Sequence, residues 1–204
     1  MIAKRWIRCR GVSGLVALSL CVAATRMLAG QGAALSKEQA DDAAAFREFS
    51  ARVQEYVKLQ KTVESSLPAL KSTDLPEMIA AHQQALARKI REARPHAKAG
   101  DIFTHAACEA FRHASRAALA GPHSARSRAY MQRGDAPNPG MRLAVNGLYP
   151  DTEPITPVPP ALLAAFPPLP VEVAYRVVGR TLILVDVESR LIVDIARLTL
   201  PPAS

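Results

Sequence analysis

VEVAYRVVGRTLILVDVESRLIVDI, residues 171–195, decides the fold. Valine, isoleucine and leucine dominate it, and two short breaks divide it into three. Val173–Val178 reads as one strand, Gly179-Arg180 as a two-residue turn and Thr181–Val187 as a second strand. Glu188-Ser189 is the next turn, and Arg190–Ile195 the third strand. Turns this short join antiparallel neighbours, so the three strands form a meander. Residues 182–185 are apolar without alternation, which predicts a central strand covered on both faces. The helices, or the proline-rich segment, must supply one cover.

Upstream, Phe46, Phe49, Val53, Tyr56, Gln60, Val63 and Leu67 recur at alternating spacings of 3 and 4. This is a helical seam with one polar member. Ser36 with Gln39 predicts a capping box at its start, and Pro68 ends it. Asp74 with Glu77 predicts a second box, with Pro76 in the first turn. Leu75, Ile79, His82, Leu86 and Ile90 mark the face of that second helix, which closes at Pro95. The short link predicts an antiparallel hairpin, with Gln60 opposite His82. Asp101 is expected to cap a third helix, with Phe103, Ala107, Ala110, Ala114 and Ala117 on its apolar face. Ser124–Arg133 suits a short fourth helix.

Ten prolines between Ala136 and Pro170 exclude regular helix and central strand from most of that stretch. Met141–Asn146 suits a short strand within it, and Ala161–Phe166 a helical turn. The expected class is α+β: an N-terminal helical hairpin, one or two further helices, a proline-rich connection and a C-terminal three-stranded antiparallel β-meander. The expected divisions are a signal peptide at 1–30, a helical region at 31–134, a connecting segment at 135–170 and the meander, packed on the helices, at 171–204. The early part of the first seam needs a cover, from the third helix or from a second copy in a homodimer.

Residues 1–30 follow the order of an export signal. Lys4, Arg5, Arg8 and Arg10 precede an uncharged, mostly apolar run from Gly11 to Ala24, and small residues follow. Arg26 cuts the run short of the roughly 20 residues that span a bilayer. Cleavage is expected after Ala24, Gly30 or Ala34, releasing a periplasmic or secreted protein that meets the membrane only in transit. The formal charge of +8 is then misleading, because five basic residues lie in the leader. The remainder has 21 basic and 18 acidic side chains, so nucleic acid is not an expected partner. Positive charge concentrates in residues 82–142, with 11 basic and 4 acidic groups. All five histidines lie between 82 and 123, so mild acid adds to that charge. An anionic envelope component or a protein partner are the expected contacts. Cys108 is the sole cysteine beyond the leader, which rules out a disulfide within the processed chain.

Signatures of nucleophilic hydrolases, zinc proteases, phosphate loops and dinucleotide folds are absent, and no catalytic residue or cofactor is implied. One constellation has metal-ligand chemistry. His105, Glu109 and His113 stack at i, i+4 and i+8 on a helix, with Cys108 beside them. Arg112 and Arg116 nearby oppose a cation, and Glu109 with His113 also makes an ordinary surface pair. Asp186 and Glu188 form a carboxylate pair two residues apart, expected at an exposed strand end.

Gly100-Asp-Ile-Phe-Thr104, Val145-Asn-Gly-Leu-Tyr-Pro150, Leu169-Pro and the strands from Tyr175 to Val187 and Leu191 to Asp194 resemble a group of secreted bacterial proteins of unknown function. The resemblance runs from about Tyr56 onward and implies no activity. The last 20-odd residues are also similar to the C-terminal β-motif of periplasmic nickel/cobalt homeostasis proteins of the RcnB type. Arg190 stands where that motif leads one to expect a turn glycine. The leading functional expectation is an exported, non-enzymatic binding or scaffolding module. The alternatives are a periplasmic metal-handling protein using the His105/Cys108/His113 face, and a hydrolase of unrecognised type.

Overall fold

The computed structural model describes residues 19–69, 75–120, 125–127, 129, 143–149, 158–178 and 181–196, with side chains from residue 37 onward. The chain divides into a short unit, residues 1–40, and a body, residues 41–204. The elements are α1 (Ser19–Ser65), α2 (Pro76–Ala93), α3 (His105–Ala120), α4 (Pro160–Ala165), β1 (Val173–Val178), β2 (Thr181–Asp186) and β3 (Ile192–Ala196). The class is α+β, with one antiparallel sheet in the order β1-β2-β3. Among the described residues, no helix is long and apolar enough to cross a membrane.

The meander follows the expected register, with Val173 opposite Asp186 and Val178 opposite Thr181. The turn Gly179-Arg180 lies outside the described residues. Both faces of β2 are covered, and the two covers differ. Leu182 and Leu184 join a core with Val53, Val57, Leu86, Ile90 and Leu162 from the helices. Ile183 and Val185 join a smaller core with Tyr149 and Leu143 from the proline-rich connection. That segment is tied to β3 at its edge. Asn146 N–H donates to Ile192 O (2.9 Å), Ile192 N–H to Gly147 O (2.8 Å) and Tyr149 N–H to Arg190 O (2.8 Å). The expected strand at Met141–Asn146 is instead this short docking of residues 146–149, with Leu148 bridged to Leu191. Asn146 takes a left-handed φ of 63°, and a Cβ on Gly147 would sit 2.8 Å from Ala144 O, which excludes larger residues there.

The α1 seam is read correctly. Phe49, Val53, Tyr56 and Gln60 are buried, and Phe46, Val63 and Leu67 pack against the core. Its early part is covered within the same chain: Phe111 on α3 lies 5.1 Å from Phe46 and 5.0 Å from Phe49, ring centre to ring centre. The seam therefore does not call for a second copy. Phe111 also stacks edge-on against Phe166 and Tyr175, so one ring joins α3, the residue after α4 and β1.

Several local expectations are corrected. α1 runs unbroken through Ser36, so no helix begins there. α2 has Leu75 at its N-cap with no side-chain cap, while Pro76 opens the helix; Asp74 lies outside the described residues. The front of the expected α2 face is not covered, since Leu75 and Ile79 are exposed and burial begins farther along. α3 starts at His105, where Thr104 Oγ1 accepts the Ala107 N–H (3.3 Å). Asp101 instead accepts the Lys98 N–H (2.9 Å) in the preceding loop. The buried face of α3 runs through Ala107, Ala110, Phe111, Ser115 and Leu119, leaving Ala117 exposed. The face turns toward Phe111 because its ring brings far more apolar area than any alanine. Of the expected fourth helix, residues 125–127 and 129 are helical and the rest lies outside the described residues.

Candidate functional site

Two aspartates sit fully buried in the sheet, Asp186 at the end of β2 and Asp194 within β3, and the polar chemistry of the body gathers around them. Asp194 lies on β3. Opposite Leu184 and Val185 the ladder shifts by one residue, pairing Leu184 with Asp194 and Val185 with Ile192. Val193 is the extra residue. A strand alternates faces, so Asp194 would otherwise share the side of Ile192. The bulge re-aims it to the helix side of the sheet. There its carboxylate accepts the N–H groups of Gly100 (2.9 Å), Ile102 (2.7 Å) and Phe103 (2.7 Å). These amides belong to a loop that has no ladder or helix to satisfy them, and Gly100 at φ 95° lets the loop curl around the carboxylate. The Gly100-Asp-Ile-Phe stretch and Asp194 are thus two halves of one device.

Asp186 ends β2. Tyr56 on α1 donates its phenol proton to Oδ2 (2.8 Å), and the N–H groups of Glu188 (3.1 Å) and Ser189 (2.7 Å) donate to Oδ1. The expectation of an exposed strand end is wrong for Asp186: the tight turn back toward β3 needs an acceptor for its amides, and only a side chain inside the turn can provide one. Burial, then the Asp186 charge, pushes the Tyr56 phenol far above its usual range, so it keeps its proton and donates it to Asp186. The Arg94 guanidinium lies 5.1 Å over the Tyr56 ring and donates to Val193 O (3.1 Å).

A second polar group lies beside this one. His82 Nε2 on α2 is 3.4 Å from Glu188 Oε1. Gln60 Nε2 donates to Glu64 (3.2 Å) on α1, and among the described residues the buried Gln60 Oε1 has no hydrogen-bond partner. Gln60 and His82 each bond to a carboxylate rather than to each other. Burial first, and then the Glu64 charge, holds the Glu188 carboxyl above the ordinary range, against the pull of His82.

The helix face read as a metal-ligand candidate does not converge. His105 is 92% exposed and 3.9 Å from Glu109. Glu109 pairs with Arg112. Cys108 Sγ lies 3.5 Å from Phe103 O and packs toward the core. His113 Nδ1 is 3.1 Å from the Asp42 carboxylate on α1. Among the described residues, His105, Cys108, Glu109 and His113 do not bring three ligand atoms within 4.8 Å of one another. An α3 shifted toward Phe111 splits them, turning Cys108 inward and leaving His105 in water.

The basic middle of the chain is also partly engaged. Arg91 Nε donates to Asn146 O (2.8 Å), and Asn146 Nδ2 returns a bond to Arg94 O (3.1 Å). With Arg94 on Val193 and Tyr56, these arginines act as pins between α2 and the sheet. Lys89 pairs with Glu92 at the surface. The sequence signal for this role was the Val145-Asn-Gly stretch and its left-handed turn, but its partner on α2 lies some 50 residues away.

The hollows around these groups are small. One of about 210 Å³ opens beside Arg52, Tyr56, Arg94 and Ile102. One of about 240 Å³ lies between Gln83, Leu148, Tyr149 and Ser189. A third, about 270 Å³, is apolar and bordered by Leu163, Pro168, Val173 and Tyr175. Comparison with known protein families, curated proteins and solved structures finds no match to this chain.

Proposed function

We propose that the chain is an exported envelope protein, periplasmic or secreted, that works by binding or scaffolding rather than by catalysis. The observation that carries this reading is the use made of the two buried aspartates. Asp186 and Asp194 each accept at least three hydrogen bonds from the body itself. A general base needs a free lone pair facing a substrate, and a carboxylate engaged in this way serves the fold instead. The charge, hydrophobic run and small residues of 1–30 support export. A body that closes its core with a single cysteine needs no disulfide in an oxidising compartment. The partner classes that fit are an anionic envelope component or another protein.

The test has two arms. Mass spectrometry of the protein recovered from fractionated cells is expected to show a mature N-terminus after Ala24, Gly30 or Ala34, outside the cytosol. Intact Met1 in the soluble cytosol would overturn export. Ester, phosphoester and peptide model substrates are expected to give no turnover. Turnover that vanishes in a folded Asp186→Asn or Glu188→Gln variant would overturn the non-catalytic reading.

A further inference from the structure

Asn146 is followed by Gly147. An asparagine before glycine is the pair most open to attack by its own backbone, because no side chain shields the glycine nitrogen. Both residues are built into the junction with β3. Gly147 N–H donates to Ala144 O (2.9 Å) across a turn that gives Asn146 its left-handed φ of 63°. Asn146 N–H donates to Ile192 O (2.9 Å), and Gly147 O accepts the Ile192 N–H (2.8 Å). For the pair to close into a ring, the Gly147 nitrogen must reach Asn146 Cγ, Oδ1 must take up negative charge, and Nδ2 must leave. The body opposes each step. The Gly147 N–H is held by Ala144 O. Nδ2 donates to Arg94 O (3.1 Å). Oδ1 is buried, and among the described residues no donor reaches it, so charge growing there has nothing to stabilise it.

We propose that Asn146-Gly147 is a site of spontaneous deamidation, silent in the closed body and set off when the 144–149 junction leaves β3 and α2. In an opened chain the Gly147 nitrogen gives its proton to water and bonds to Asn146 Cγ. The Cγ–Nδ2 bond breaks, Nδ2 takes up a proton, and ammonia leaves. Water then opens the cyclic imide at either carbonyl, which yields aspartate or its β-linked isomer. Neither product fits the closed junction. Aspartate sets a carboxylate oxygen where Nδ2 met Arg94 O, acceptor against acceptor in a half-buried place. The β-linked isomer adds one carbon to the main chain between Asn146 N–H and Gly147 O, whose spacing now matches a single residue, Ile192. The turn has no slack to absorb it, since even a Cβ on Gly147 would lie 2.8 Å from Ala144 O. Deamidation thus makes opening of this sheet edge irreversible and marks each chain in which it has occurred.

The test uses the full chain, incubated at neutral pH folded and, in parallel, unfolded in guanidinium. Peptide mapping by mass spectrometry reads conversion at residue 146. Conversion is expected to be at least roughly tenfold slower in the folded chain, because it tracks the small fraction whose junction is open. Arg91→Ala takes the guanidinium away from Asn146 O and should speed conversion of the folded chain several-fold. Converted chain, once refolded, should lose exchange protection at the Ile192 amide. Equal rates in the folded and unfolded chain, a folded Arg91→Ala variant with the wild-type rate, or native protection at Ile192 after conversion would each overturn the proposal. Should Arg91→Ala fail to fold, the wild type in guanidinium below its unfolding transition decides. Conversion must then rise in step with exchange of the Ile192 amide, and a rate that does not follow it sinks the proposal.

Discussion

Tyr56 on α1 and Asp186 at the end of β2, 130 residues apart in sequence, share a buried 2.8 Å hydrogen bond from phenol to carboxylate. This bond is the polar rivet between the long helix and the sheet. Tyr56→Phe keeps the ring and its contact with Arg94 but leaves Asp186 Oδ2 without that donor. The expected cost is about 2 kcal/mol, the penalty for a buried charged acceptor losing one partner. Urea unfolding should show a lower midpoint with an unchanged slope. An unmoved midpoint would mean that the two turn amides satisfy Asp186 alone.

The same phenol gives a prediction in alkali. Burial, and then Asp186, raises Tyr56, while burial alone raises Tyr175. In the unfolded chain both titrate near the ordinary value of about 10. Groups raised in the folded state stabilise it fully below that value, and the contribution falls as pH climbs beyond it. Stability should therefore drop above about pH 10 as the unfolded chain releases protons that the folded body retains. Absorbance at 295 nm should show the last phenolates forming only together with loss of the far-ultraviolet helix signal. Complete tyrosine titration with helix content intact would refute this.

The parts of the fold that were legible in the sequence are those set by local period. Three valine- and isoleucine-rich runs with short breaks specify a meander, and a 3-4 spacing of large apolar residues specifies the α1 seam. The double-sided apolar run of β2 foretold two covers, and the helices and residues 143–149 of the proline-rich segment each supply one. The polar devices were not legible. Asp194 reads as a charge within a strand until the extra residue Val193 turns it, and its partners at Gly100, Ile102 and Phe103 lie more than 90 positions away. The α3 candidates failed for a related reason. Stacking at i, i+4 and i+8 fixes which side chains are neighbours, but tertiary packing fixes which way the stack faces, and Phe111 decided that.

Arg190 occupies the position where the resemblance led one to expect glycine, and it adopts a left-handed φ of 59°. A non-glycine residue there carries a strain of about 1 kcal/mol or more. Its longer contact, Arg190 Nη2 to Tyr149 O at 3.5 Å, is weak compensation. Arg190→Gly is expected to stabilise the body by roughly 0.5 kcal/mol, the strain relieved less the entropy glycine adds to the unfolded chain. Gly100→Ala should do the reverse, by about 1–2 kcal/mol, because its φ of 95° suits glycine alone. Opposite shifts in thermal midpoint would support both assignments; shifts of the same sign would contradict one of them.

The bulge at Val193 makes the sharpest case, because backbone and side chain can be separated there. Asp194→Asn turns one acceptor oxygen into a donor aimed at backbone N–H groups. It should cost about 3 kcal/mol, given several charge-assisted bonds lost in a buried site. Val193→Ala removes apolar area but keeps the residue count, so the carboxylate still faces the loop. Its cost should be about 1–2 kcal/mol, the burial of two methyl groups. Deleting Val193 would set Asp194 directly after Ile192, where alternation keeps it opposite Leu184 on the helix side, so substitutions are the cleaner test. The amide protons of Ile102 and Phe103 should lose exchange protection in Asp194→Asn, while Val193→Ala keeps it. An Asp194→Asn variant that retains those protected amides would show that the loop is held by something other than the carboxylate.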